Sequence, residues 1–269
     1  MRLSGRSKRG VVAALLVGVA TAVACIDMSA PAGAAAISLV QLPAPFVVRG
    51  DTMRDSTGAV APVTVTSYNA EGEPIAFPFE LFVLDTMFRA HFTVNHLLLG
   101  DKLGNVTVVG QASGVQTLTV NVPVTVRPTT IVLGTKPDTL RAPLGSDSAS
   151  SIGRSNPPLS TIVKGAGDTT VQGVIVHYRI TRTLPSSSTT IPSVYIGDAS
   201  GKPTETDTTD AQGVAGKRYV TVLTRLLTGP VLQQPDSVVV EATASYKGAY
   251  LTFAPLRIVT PVKVVISIR

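Results

Sequence analysis

Val174-Ile175-Val176-His177-Tyr178-Arg179-Ile180-Thr181 decides the fold class. Val174, Val176, Tyr178 and Ile180 are apolar and the positions between them are mixed, the period-two pattern of a strand with one face on a core and the other toward water. Val238, Val240, Ala242 and Ala244 repeat it against Val239, Glu241, Thr243 and Ser245. From Ile37 onward the chain is a succession of Val-, Ile- and Thr-rich runs bounded by Gly, Pro, Asn, Asp and Ser, with almost no helical periodicity. The expected class is therefore all-β, with antiparallel strands stacked into sandwiches.

The turns between these runs carry an internal repeat. Val106 to Val120 reads as a hairpin around Ser113-Gly114, and Val238 to Phe253 as one around Lys247-Gly248. Two-residue loops ending in Gly suit the primed turns whose positive φ angles match strand twist. Upstream, Val63-Thr-Val-Thr-Ser-Tyr-Asn69-Ala-Glu-Gly72 parallels Leu159-Ser-Thr-Ile-Val-Lys-Gly165-Ala-Gly167, each a strand followed by a Gly-containing turn. Asp51-Thr52-Met53 and Asp138-Thr139-Leu140 open the two copies alike. The period is too long for a solenoid, so two related domains are expected.

Gly173-Val-Ile-Val-His-Tyr-Arg-Ile180, then Thr209-Asp210-Ala211-Gln212-Gly213-Val214-Ala215, then Val238-Val-Val-Glu-Ala-Thr-Ala244, resembles the bacterial immunoglobulin-like domains of the invasin and intimin type, which carry such strand and turn signals in this order. Residues 37–127 look like a more diverged copy, through Asn69-Ala-Glu-Gly-Glu-Pro74 and the closing hairpin. The resemblance implies two tandem immunoglobulin-like sandwiches, 37–127 and 128–269, with the boundary near Arg127-Pro128. It implies adhesion to a protein or glycan partner but transfers no functional residue. The second copy's extra length is expected in loops at 143–158, 184–213 and 226–236, where binding usually sits.

The N-terminus reads separately. Arg2, Arg6, Lys8 and Arg9 precede an apolar run from Val11 to Ala24, so 1–24 has the form of a secretory signal peptide. Ala22-Val23-Ala24-Cys25 resembles the lipobox of bacterial lipoproteins, which implies a diacylglycerol-modified Cys25, a membrane partner through that lipid, and a flexible tether over 25–36. Ile26 in place of an Asp favours the outer membrane; an ordinary signal-peptidase cut, giving a periplasmic or secreted protein, is the alternative. The chain's one Cys falls at this position, which leaves no disulfide framework and no thiolate metal cluster.

Composition narrows the chemistry further. The chain has 269 residues and a formal charge of +6, but without the four basic residues of the leader 19 basic side chains face 17 acidic ones. No basic cluster remains to meet nucleic acid. The histidines are His91, His96 and His177, with no HExxH spacing and no nucleophile elbow. Gly201-Lys202-Pro203 and Gly165-Ala-Gly167 read as turns, not phosphate loops. Glu205, Asp207 and Asp210 could contribute oxygens to a Ca²⁺ ion, but the EF-hand pattern is absent and acids flanking a strand turn are more often simply solvated. Glu71, Glu73 and Glu80 lack a cleft to separate their pKa values, and Leu97-Leu98-Leu99 reads as core. No catalytic, cofactor-binding or metal residue is assigned. The expectation is a non-catalytic cell-envelope lipoprotein, a spacer or interaction module. Its alternative is a carbohydrate-binding or transthyretin-like accessory module, since Thr209–Gly213 also resembles the turn of carboxypeptidase regulatory-like domains; loop tyrosines such as Tyr195 would then carry the sugar.

Overall fold

A computed structural model of the chain describes residues 37–76, 78–112, 115–144, 152–184, 194–223 and 237–266. The signal-peptide reading of 1–24, the lipidation site Cys25 and the tether to residue 36 lie outside the described residues, as do Ser113-Gly114 and 224–236. Of the described residues, 37–39, 65–80 and 110–118 form a small compact unit and the remainder a larger one.

Ten strands precede residue 127. They are β1 (Ile37–Gln41), β2 (Val47–Val48), β3 (Thr64–Tyr68), β4 (Pro74–Ile75), β5 (Phe79–Leu84), β6 (Ala90–Phe92), β7 (Leu98–Gly100), β8 (Gly104–Ala112), β9 (Val115–Gln116) and β10 (Val120–Thr125). Twelve follow: β11 (Pro128–Leu133), β12 (Leu140–Leu144), β13 (Ile152–Arg154), β14 (Leu159–Gly165), β15 (Ile175–Leu184), β16 (Val194–Gly197), β17 (Thr206–Thr208), β18 (Val214–Leu223), β19 (Ser237–Thr243), β20 (Ser245–Tyr246), β21 (Ala249–Tyr250) and β22 (Leu256–Ile266). Apart from one 3-10 turn at Ala166–Asp168, the described regular structure is β.

In the small unit the hairpin β3–β4 turns at Asn69–Gly72, and the buried hydroxyls of Ser38 and Ser67 meet at 2.9 Å. The β8–β9 hairpin pairs Gln111 with Gln116 on either side of Ser113-Gly114. Thr117 fastens it, its amide donating to the Gly110 carbonyl and its hydroxyl accepting from the Gly110 amide, both at 2.8 Å.

The larger unit holds two hydrophobic cores. One comprises Val47, Met53, Val63, Ala90, Leu98, Val106, Val108, Val122 and Val124, on and around the sheet β2-β10-β8-β5. The other lies between the facing sheets β11-β14-β18-β13 and β12-β22-β19-β15-β17, a β-sandwich in which Ile131, Leu159, Val163 and Val220 meet Leu140, Val176, Tyr178 and Val240. Val174, Val176, Tyr178 and the Val238–Ala244 series all point inward, as their alternation requires. Burying so many side chains at about 25 cal/mol per Å² of apolar surface is what holds the two layers together.

Both cores close by the same device, and here the antiparallel expectation needs amending. The early strand β2 pairs in parallel with the late strand β10, Val47 opposite Val124, and β12 pairs in parallel with β22, Leu140 opposite Val262. A parallel partner needs a crossover, which in each case the rest of the domain supplies. The repeated Asp-Thr-apolar triplet also folds alike: the Thr amide donates to the Asp carboxylate, at 2.9 Å in Asp51-Thr52 and 2.7 Å in Asp138-Thr139, and Met53 and Leu140 enter their respective cores.

Two expected loops contain structure. Ile152–Arg154 is a strand on the edge of β18, and β16 and β17 occupy part of 184–213. Segments this short carry too few alternating positions to stand out among Ser and Thr.

One turn recurs. Asp55, Asn69, Asp198 and Asp210 each begin a four-residue turn that ends in Gly58, Gly72, Gly201 or Gly213. The Gly amide donates to the carbonyl of the first residue at 2.9–3.1 Å, and the amide of the residue after the Gly donates to its side-chain oxygen at 2.8–3.1 Å. The glycines have φ of 90°, 82°, 90° and 73°, a region an L residue enters at a cost of about 1–2 kcal/mol. In the Thr209-Asp210 copy the Thr209 hydroxyl also donates to the Val171 carbonyl at 2.7 Å and accepts from the Val174 amide at 2.9 Å. That motif is therefore a structural tie.

Candidate functional site

The densest polar cluster among the described residues joins the two cores of the larger unit. After β2 the chain turns at Gly50, and the Asp51 amide donates to the Val48 carbonyl at 3.0 Å. Asp51 is then held against β7, its carbonyl accepting from the Gly100 amide at 3.2 Å. This backbone leaves the carboxylate facing the β20–β21 hairpin, whose two-residue turn Lys247-Gly248 has φ of 54° and 74°, the primed geometry expected for this loop.

Four neighbours converge on the Asp51 carboxylate. The Thr52 amide donates at 2.9 Å; Arg54 donates from Nε at 3.1 Å and from Nη2 at 3.0 Å, one bond to each oxygen. Lys247 Nζ lies 2.8 Å from Oδ2, and the Tyr246 hydroxyl donates to the same oxygen. Forked Arg–carboxylate bonding is among the stronger and more directional of polar contacts. Burial raises the Asp51 pKa, but the bonds from Arg54, Lys247, Tyr246 and the Thr52 amide outweigh it and hold the carboxyl well below the usual range. Burial together with the neighbouring Asp51 carboxylate pushes the Tyr246 phenol up. A carboxylate this acidic is a poor general base near neutrality, and Tyr246 a poor acid, so the chemistry of the cluster is cohesion.

The aromatic ring is packed as closely as its hydroxyl. Phe46 sits 6.4 Å from the Tyr246 centroid at a tilt of 38°, and the Arg127 guanidinium and Lys247 ammonium lie 5.8 and 5.7 Å from it, within cation–π range. Phe46 precedes the first core in sequence yet packs against the second. A Cβ on Gly173 would fall 2.7 Å from the Cβ of Phe46, and one on Gly58 would fall 2.2 Å from the Gly248 amide nitrogen. The cavity left here is about 70 Å³, lined among others by Phe46, Arg54, Val174, His177 and Tyr246. That is room for a few waters, against the roughly 300–1,000 Å³ of small-molecule sites.

The connection between the cores is short and occupied. Only Val126 and Arg127 separate β10 from β11; Val126 packs on the second core and Arg127 stands over Tyr246.

The other residues singled out by sequence are dispersed. His91, on β6, meets Asp101 at 2.7 Å; His96 sits in a turn at φ 56°; His177 is exposed on β15. Asp207 is buried and accepts from the Lys217 and Thr208 amides at 2.7 and 2.9 Å, with Arg218 at 3.9 Å, while Asp210 caps its own turn. The Glu205 carbonyl accepts from the Tyr178 amide. These three acids do not form a metal-binding cluster among the described residues. Glu73 donates its amide to Asn69, and Leu98 is core as expected. Tyr195, expected in a loop, lies instead on strand β16, half-buried, with its hydroxyl donating to the Gly201 carbonyl at 3.2 Å. Asp51 and Tyr246 were visible only as parts of a repeat and a hairpin; the Asp-Thr-apolar signature marked the fold position of one and gave no sign of its partner.

No protein-family model matches the chain, and no curated protein does. Among solved structures, the chain is similar to domains 4 and 5 of the surface-layer protein SbsC, at TM-score 0.30 and 10% identity over 86% of this chain and 98% of that one. It is similar to the adhesin InvE of Yersinia pseudotuberculosis at TM-score 0.32 and 14% identity, covering 86% of this chain and 61% of InvE. It is also similar to the Escherichia coli adhesin FdeC at TM-score 0.29 and 15% identity, covering 84% and 64%.

Proposed function

We propose that the chain is a non-catalytic envelope protein, exported by its leader, anchored through a lipid on Cys25, and built of two immunoglobulin-like sandwiches, 37–127 and 128–269, that act as a stiff spacer or interaction module. The observation that carries this reading is the Asp51–Tyr246–Lys247 joint. A spacer must transmit position from its anchor to its far end, and two domains joined by a flexible linker lose that ability. Here a saturated carboxylate, an aromatic pair and two close backbone approaches span the junction instead. Forked charge-assisted bonds lose less side-chain freedom per contact than single surface ion pairs do, so this contact resists bending.

Small-angle scattering tests stiffness, and mass spectrometry tests the anchor. The wild-type curve is expected to fit one conformation, and Asp51→Ala to require an ensemble; a wild-type curve that itself requires an ensemble refutes the stiff spacer. The mature N-terminus is expected at an acylated Cys25; an unmodified terminus at Cys25, or one beyond Ala34, refutes the anchor and leaves a periplasmic or secreted module.

A further inference from the structure

Arg141, Arg179, Arg257 and Lys263 are scattered along the chain, and strand register gathers them on one face. In the sheet β12-β22-β19-β15-β17 the inward series are Leu140 and Ala142, Ile258 and Val262, Val238, Val240 and Ala242, and Val176 and Tyr178, all of the second core. Alternation turns the residues between them outward, and there all four cations are exposed. Among the described residues the same face holds one acid, Glu241. These five side chains sum to +3, against +2 for the whole chain once the four basic residues of the leader are set aside. Positive charge is therefore segregated onto this face.

The cations form two groups. Across β15, β19 and β22, Arg179, Glu241 and Arg257 stand side by side in register. Arg257 Nε lies 3.3 Å from the Glu241 carboxylate, which leaves Arg179 as the surplus cation of that row. Further along β22, about 20 Å from Arg257 at the rise of a strand, Lys263 stands directly opposite Arg141 of β12. Neither Lys263 nor Arg141 has an ion-pair partner among the described residues. Like charges set opposite one another destabilise a sheet. One charge on β12 is enough to blunt that outer edge, so the second, one strand further in, adds repulsion without further protection. An anion lying across the two relieves it.

We propose that the outward face of this sheet binds a linear acidic polysaccharide, whose negative groups bridge the Arg141–Lys263 pair and the Arg179–Arg257 row. A separation of about 20 Å exceeds the screening length of about 8 Å at physiological ionic strength. Each group therefore attracts its own anions, and a ligand that uses both must carry several along its length. Three of the four cations are Arg, whose planar fork takes the oxygens of an acidic group two at a time. Twist selects a flexible occupant. Neighbouring strands rotate by about 20–25°, so from β12 to β15 the face turns through about 60–75°. A polymer chain follows that turn, whereas a flat bilayer meets one group at a time. Between the groups lie Val239, Val259 and Pro261, and the described outward positions hold no Phe, Tyr or Trp on which a nucleic-acid base would stack. Such polysaccharides lie outside the cytoplasm, so this partner rests on the export proposed above, though not on the stiffness of the junction.

Titration calorimetry of the full chain with polygalacturonate, at about 50 and about 150 mM salt, tests the assignment. Binding is expected at the lower salt and is expected to weaken about tenfold to twentyfold at the higher, the counterion-release slope of three or four contacts to a single strand. Uncharged dextran is expected not to bind. Arg141→Gln with Lys263→Gln, and separately Arg179→Gln with Arg257→Gln, are each expected to weaken binding at least about tenfold, as the loss of two cations from a contact with an anionic surface does. Lys202→Gln with Lys217→Gln removes the same charge from exposed positions off this face and is expected to change binding by less than about twofold. Arg141→Gln is expected to raise the melting temperature in low salt by relieving the cross-strand repulsion, so its loss of binding is not a loss of fold. An unprocessed N-terminus would remove the export reading and leave this binding intact, so the two fail separately. No binding at either salt, binding indifferent to both pairs on the face, or equal weakening by the Lys202 and Lys217 pair overturns the proposal. So does duplex DNA bound more tightly than polygalacturonate, in favour of nucleic acid, or flotation with phosphatidylglycerol vesicles by a chain that ignores polygalacturonate, in favour of a lipid surface.

Discussion

Asp51 and Tyr246, 195 positions apart in the chain, share one hydrogen bond, and through it each hydrophobic core is fastened to the other. Replacing either partner reads out the strength of that fastening. Tyr246→Phe keeps the ring over Phe46 and removes one charge-assisted bond, an expected loss of about 1–2 kcal/mol. Asp51→Ala removes the acceptor for Arg54, Tyr246 and Lys247 together, with an expected loss of about 2–3 kcal/mol after solvent has partly re-solvated the two cations. Calorimetry is expected to show one transition in the wild type and two in Asp51→Ala; the double variant costs less than the sum of the singles because both cut the same bond.

The joint has a defined acid limit. The Asp51 pKa is depressed in the folded chain, so its contribution is complete above the unfolded carboxylate value near 4 and is lost as the pH falls below it toward the folded value. The difference in melting temperature between wild type and Asp51→Asn is expected to stay constant from about pH 7 to about pH 5 and to narrow progressively below about pH 4. A difference that closed between pH 7 and pH 5 would place another titrating group in the joint.

Gly58 and Gly72 separate backbone strain from packing. Both end the same turn, at φ 90° and 82°, so a side chain at either carries the left-handed cost of about 1–2 kcal/mol. At Gly72 a Cβ meets nothing within 4 Å; at Gly58 it meets the Lys247-Gly248 backbone at 2.2–2.7 Å. Gly72→Ala is therefore expected to cost about 1 kcal/mol, and Gly58→Ala at least about 2 kcal/mol more by forcing the hairpin away. Urea melts of the two variants compare them directly, and equal losses would mean that the hairpin yields without resistance.

What the sequence displays is what depends on neighbours along the chain. The inward series Val174-Val176-Tyr178 and Val238-Val240-Ala242 follow from the two-residue period of a strand, and the Lys247-Gly248 turn from the need for positive φ. The parallel pairing of β2 with β10 and of β12 with β22 has no local sign, because partners more than seventy residues apart leave the alternation of each strand unchanged. Asp51 was legible as the opening of a repeat, but its role is set by the hairpin that reaches it. Its counterpart Asp138 carries the same Thr amide bond and remains exposed.

Inside the second core, two buried hydroxyls should respond in opposite senses. Tyr178 is fully buried, donates to the Ala215 carbonyl at 2.9 Å and meets the Thr161 hydroxyl at 2.9 Å, and burial pushes its phenol pKa up. Tyr178→Phe leaves a carbonyl and a hydroxyl without that partner and is expected to cost about 1–3 kcal/mol. Thr260, on the inward face of β22, is equally buried, and its hydroxyl has no hydrogen-bond partner among the described residues. Thr260→Val keeps the shape and removes the unpaired polar atom, so a gain of about 1 kcal/mol is expected. Chemical denaturation of both variants checks the pair. Stabilisation by Tyr178→Phe, or destabilisation by Thr260→Val, would show that water reaches this core and that its polar atoms are satisfied from outside.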